Sequence, residues 1–181
     1  MNDLSGSFES NVQWYVNDKT LGDFNEDEHV RANSYLRLDY NFLNNLSVGF
    51  QVESYEPIHL INFYQEYNET NIATYYANFK NDKLDITAGY FYEQFASGLI
   101  FRSWEDRQLG INNALRGIKV NFTPTDYLDI TGIYGQQRNG FEVSDGTVQG
   151  INANADLSTA FKLEKVDLKM GVSYVGRYQS Q

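Results

Sequence analysis

Apolar and polar residues alternate with a period of two along almost the whole of this chain. In 28–42 (EHVRANSYLRLDYNF) one face carries Val30, Ala32, Ser34, Leu36, Leu38, Tyr40 and Phe42. The other carries His29, Arg31, Asn33, Tyr35, Arg37, Asp39 and Asn41. Successive strand residues point to opposite faces, so this segment reads as a strand with one apolar and one polar side. The pattern returns at 46–54, 84–92, 151–161 and 166–174, and in weaker form at 7–16, 71–80, 116–122 and 128–135. The fold class that follows is all-β: an antiparallel up-and-down meander of about nine strands, in one domain spanning 1–181.

The connections carry a second pattern. Short, turn-like segments rich in Asn, Asp and Pro stand at 43–45, 81–83 and 123–126, with LEK at 163–165; longer segments stand at 17–27, 55–70, 94–114 and 138–147. Short and long alternate. Outer-membrane β-barrels show the same asymmetry, with tight periplasmic turns and long outer loops. Several strands reach about 10 residues, the length of a tilted membrane-crossing strand, and Tyr40, Phe42, Tyr90, Tyr92 and Tyr174 gather at strand ends, where an aromatic girdle belongs. The expectation is therefore part or all of a transmembrane β-barrel. Bacterial single-chain barrels have even strand numbers, so nine strands point to a piece of a longer barrel or to a sheet completed by another chain.

Composition narrows the function classes. A net charge of −10 and a pI near 4.6 do not suit nucleic acid, whose phosphates require a basic surface. Cysteine is absent, which removes disulfides and thiolate metal sites. No apolar run is long enough for a membrane-spanning helix, and the first ten residues lack the pattern of a secretory signal. A mean hydropathy of −0.52 is compatible with a membrane barrel, because lumen-facing and lipid-facing residues average out.

Several stretches resemble a largely uncharacterised family of outer-membrane β-barrels of Bacteroidota-type bacteria. They are SGSFESNVQWYVND, YLRLDYNF, GFQVESYEP and above all 89–117, with Gly89, Tyr92, Glu93, Gly98, Leu99, Arg102, Glu105, Arg107, Leu109, Gly110, Ile111, Asn113 and Gly117. The resemblance runs over essentially all 181 residues. It implies residence in the bacterial outer membrane and brings no assigned activity. Family members look considerably longer and carry a signal peptide.

Catalysis is not expected. The two histidines, His29 and His59, lie in no recognisable nucleophile motif. The acidic run at 22–29 places Asp23, Asn25 and Asp27 like the start of a calcium loop. Glu28 stands where the turn glycine is required and Ser34 where the bidentate Glu is required, so a solvated acidic loop is the better reading. No cofactor is expected, and the expected surroundings are outer-membrane lipid and other outer-membrane or secretion-complex proteins.

The chemistry-bearing positions are then those of a lumen. Arg31, Arg37, Asp39, Glu53, Asp85 and Lys119 face inward on the barrel reading. The segment 101–110 (FRSWEDRQLG) packs two Arg, two carboxylates and a Trp between strands, a mixture worth little on a solvated loop. We therefore expect 95–114 to fold inward, Arg102 and Arg107 pairing with Glu93, Glu105 or Asp106, Trp104 packing inside, and the lumen narrowing. Three roles remain open: a channel or transport barrel, a non-transporting outer-membrane scaffold, and a soluble β-sheet binding module, for instance for carbohydrate.

Overall fold

The computed structural model describes residues 3–20, 22–25, 28–60 and 68–179. Nine long strands form one antiparallel sheet: β1 (Asp3–Trp14), β2 (Val30–Phe42), β3 (Leu46–Ser54), β4 (Thr70–Lys80), β5 (Leu84–Phe91), β10 (Leu115–Thr125), β11 (Leu128–Asn139), β12 (Glu142–Asp156) and β13 (Lys169–Tyr178). Four two-residue strands lie between β5 and β10: β6 (Gln94–Phe95), β7 (Phe101–Arg102), β8 (Glu105–Asp106) and β9 (Ile111–Asn112). Long strands pair in sequence order, as the alternation predicts. The sheet is not closed, since β1 and β13 stand at its two edges.

Register converts the sequence alternation into two faces. Phe8, Leu36, Val52 and Ile72 share one outer level, and Leu38, Phe50 and Tyr75 share the next. Aromatic and β-branched neighbours of this kind stabilise a sheet by about 0.2–1 kcal/mol per pair. Leu36, Phe50, Ile86 and Val172 occupy outer positions; Phe8 is 70% exposed and Val172 65% exposed. On the inner side the rungs read Glu9–Tyr35–Glu53, Ser7–Arg37–Gln51–Thr74 and Ser5–Asp39–Gly49–Tyr76–Gly89. An extra residue, Ala73, bulges from β4 where the register slips between Gln51 and Val52.

Two connections depart from expectation, and one ladder is short. The segment 138–147 is no long loop. β11 runs through Asn139, β12 starts at Glu142, and Gly140 at φ +63° makes the tight turn that a left-handed residue permits. The expected short turn at 163–165 is part of a longer connection. Asp156 ends β12 and caps a helical turn, α1 (Leu157–Phe161), its carboxylate accepting from the Thr159 N–H at 2.9 Å. Leu157 and Leu168, which the alternating segments 151–161 and 166–174 place in strands, therefore lie in that connection. The short ladder is that of β4 and β5: it ends at Tyr76–Gly89, although β4 continues to Thr70 and β5 to Phe91. Gly89 adopts φ +108°, and a Cβ there would stand 2.4 Å from the Tyr75 carbonyl oxygen, so only glycine fits where the two strands touch and separate.

Candidate functional site: the inner face and its strap

The chain between β5 and β10 crosses the concave inner face as a strap. Two small clamps shape it. The Glu93 N–H donates to the Ser103 hydroxyl at 2.9 Å while the Ser103 N–H donates to the Glu93 carbonyl at 2.8 Å. The Trp104 N–H donates to the Asn113 side-chain oxygen at 2.6 Å, and the Asn113 N–H returns to the Trp104 carbonyl at 3.2 Å. Phe95 anchors the first half. It is 1% exposed and packs with Phe91, Leu115, Ile133 and Val148, a core formed inside the curve of the sheet. Burying a Phe side chain contributes about 1.5–3 kcal/mol, enough to hold the strap against the wall.

Polar groups hold the second half. Arg107 lies with its guanidinium 4.4 Å from the Tyr35 ring centre, and donates to Glu9 at 2.5 Å, to Gln51 at 3.2 Å and to Glu105 at 3.3 Å. It thus straddles the inner rung Glu9–Tyr35–Glu53 and ties the strap to β1 and β3. Gln51 continues the network, its amide donating to Glu53 at 2.8 Å and to Glu105 at 3.3 Å. Glu53 is the centre. Arg138 of β11 grips both its carboxylate oxygens, at 3.2 and 2.6 Å, and the Tyr55 hydroxyl donates at 2.7 Å. The Glu53 and Arg138 side chains are 1% and 2% exposed. Strands β3 and β11 are four places apart in the sheet, which would be about 19 Å if it lay flat. The pair therefore exists only because the sheet curls, and it spans the curve like a strut. A polar cavity of about 20 Å³, water-sized, lies among Glu53, Tyr55, Glu105, Arg107 and Arg138. At the strap's origin Tyr92 is 37% exposed overall; desolvation, reinforced by the Glu105 charge, pushes its hydroxyl above the ordinary tyrosine range.

The other sequence candidates are placed apart from this network. Arg37 makes a bidentate pair with Asp39 at 2.8 and 3.1 Å, and the Tyr76 hydroxyl donates to the same carboxylate at 2.7 Å. The Tyr76 ring lies over Gly49, where a Cβ would meet it at 2.5 Å. Arg31 reaches the His59 carbonyl at 3.3 Å and lies near the Tyr15 ring. Asp85 receives Lys80 at 3.4 Å and the Asn78 amide at 2.6 Å. Glu93 pairs with Lys119 at 3.5 Å, not with a strap arginine. Arg102 has no carboxylate within ion-pair distance among the described residues; it stacks on Trp104, 4.4 Å from the ring centre, and is exposed. Asp106 is a turn residue, accepting from the Gln108 and Leu109 N–H groups. Of the twelve inward candidates, Glu53, Glu105 and Arg107 meet in one network.

Sequence reading missed four members of that network: Glu9, Gln51, Tyr55 and above all Arg138. Glu9 and Gln51 stood on polar faces, as any inward residue does. Arg138 fell in an expected loop, and nothing local tells that its partner lies 85 positions away. The donors and acceptors of this arrangement satisfy each other across the sheet, as in a brace. Among the described residues no three His, Asp or Glu side chains converge as metal ligands, and Asp27 of the acidic run lies outside the described residues.

The family model that matches the chain is described as a family of unknown function (DUF6029), and the match runs over residues 1–181. No curated protein matches the chain.

Proposed function

Starting from a chain that belongs to the DUF6029 family, whose function is unknown, we propose that it forms the wall of a bacterial outer-membrane β-barrel with a transport role. On this reading the strap 92–114 is the constriction of the solute path. One observation carries it: the outer face is predominantly apolar along the nine strands, while the charged side chains of β1–β5 gather on the inner face, beside the Phe95 core. Leu4, Phe8, Val12, Ile72, Ile118, Ile151, Met170 and Val172 are all more than 40% exposed on that outer side. Soluble monomers rarely expose contiguous apolar patches beyond a few hundred Å², whereas a lipid-facing wall requires one. Resemblance to outer-membrane barrels of Bacteroidota-type bacteria supports the same location.

A scaffold role without transport is the second reading, and the buried Glu53–Arg138 strut favours it, because a brace across the curve stiffens the wall and occupies its interior. Phase partitioning and planar-bilayer recording of the purified protein separate the possibilities. Recovery in the aqueous phase without detergent would sink both membrane roles and leave a soluble β-sheet module. Membrane insertion with neither conductance nor solute uptake would sink transport and leave the scaffold.

A further inference from the structure

We propose that the parting of β4 and β5 is a lateral portal, through which a single-chain amphiphile with a small anionic head passes between the lumen and the surrounding lipid. This rests on the membrane reading above. Below Tyr76–Gly89 the two strands are laddered; above it, among the described residues, Thr70–Tyr75 of β4 pair with β3 alone. A wall in hydrocarbon keeps its backbone groups paired except where they line a cavity or meet protein. A cavity is present at this place. It measures about 400 Å³, within the ordinary range for small-molecule sites.

Its lining mixes the two faces of the wall. Phe50 and Tyr90 come from outer positions, Gln51, Thr74 and Lys119 from inner ones. Phe50 is laddered on both sides, to Leu38 and Tyr75, so the cavity meets the outer side at Tyr90, beside the parting. Tyr90 is buried despite its outer position and packs edge-to-face on Tyr75, ring centres 5.4 Å apart, so the two rings stand at the parting as a door. The chemistry of the lining selects the ligand. Five aromatic residues, Phe50, Tyr76, Tyr90, Phe91 and Tyr92, line the cavity, a surface that suits an acyl chain. Toward the inside stand Arg37 and Lys119, with no carboxylate in the lining; their partners Asp39 and Glu93 lie outside it. Arg37 is held by two short bonds to Asp39, whereas Lys119 meets Glu93 at 3.5 Å, so Lys119 is the cation most readily exchanged onto an anionic head.

The test uses the whole chain in nanodiscs of zwitterionic phospholipid, with empty discs as the partitioning baseline. Laurate, dodecanol and acetate are the probes. Laurate is expected to bind saturably and acetate not at all, and Lys119→Gln is expected to weaken laurate about tenfold while leaving dodecanol unchanged. The chain has no cysteine, so Tyr75→Cys with Tyr90→Cys can be bridged by a reducible bifunctional thiol reagent. Bridging should slow laurate uptake, and reduction should restore it. Equal affinity of laurate for the Lys119→Gln variant, or uptake indifferent to the bridge, would overturn the portal. Correct insertion without saturable laurate binding would overturn the portal alone. Failure to insert would overturn the membrane reading with it.

Discussion

Replacing Arg138 by Met removes the cation from one end of the strut and leaves the Glu53 carboxylate, 1% exposed, inside the curve of the sheet. Breaking a buried ion pair from one side typically costs about 3–5 kcal/mol, because the remaining charge has lost both its water and its partner. Here the Tyr55 hydroxyl at 2.7 Å and the Gln51 amide at 2.8 Å still donate to that carboxylate. These retained bonds place the expected loss at the lower end, about 3 kcal/mol. The double variant Glu53→Gln with Arg138→Met removes the stranded charge while the Tyr55 bond survives, and it should recover about 1–2 kcal/mol relative to the single variant. Urea unfolding of the protein in lipid vesicles reads both, as a shift of midpoint at constant slope. A loss below about 1 kcal/mol for Arg138→Met, or a double variant less stable than the single one, would refute the strut as a desolvated pair.

Other perturbations report on other parts of the wall. Arg107→Ala, at a site with a 26% exposed side chain, should cost about 1 kcal/mol and make the strap markedly more sensitive to limited proteolysis; unchanged cleavage would show that Phe95 alone holds the strap. Leu38→Arg on the outer face should cost about 2–4 kcal/mol in lipid, whereas Asp39→Asn, which loosens a partly exposed inner pair, should cost about 0–1 kcal/mol; equal effects on assembly would contradict the assignment of faces. Desolvation raises the Tyr92 hydroxyl above its ordinary value of 10.0, so its contribution is complete below that value and is lost as pH rises above it. Alkaline unfolding that is no steeper in the native protein than in Tyr92→Phe would count against that desolvation.

The faces of the sheet were readable in the sequence because a period of two is a local property. Leu36 against Arg37, or Phe50 against Gln51, needs only its neighbours to be placed. Strand ends were less readable. Asn139 and Glu142 were hidden by an apparent loop because one glycine in the left-handed region makes the hairpin. Asp156 ended its strand early because its side chain caps a helical turn, which competes with continued alternation. The site was legible only in its composition. The strap's charges announced an inward fold, yet their partners are chosen by curvature, which brings β3 to β11 and sets Glu9, Tyr35 and Glu53 on one rung. Arg102 shows the converse. It had carboxylates nearby in sequence, and the Trp104 ring took it instead.

The same curvature has a kinetic consequence. Ladders between neighbouring strands close short stretches of chain, while the Glu53–Arg138 contact closes 85 positions at once and requires the intervening strands to be in place. The strut is therefore expected to form after the ladders, late on the folding path and beyond the transition state. Interactions of that kind govern how fast a protein comes apart far more than how fast it forms. Arg138→Met should express its loss almost wholly as faster unfolding, with the folding rate nearly unchanged, so that the strut acts as the lock on an already assembled wall.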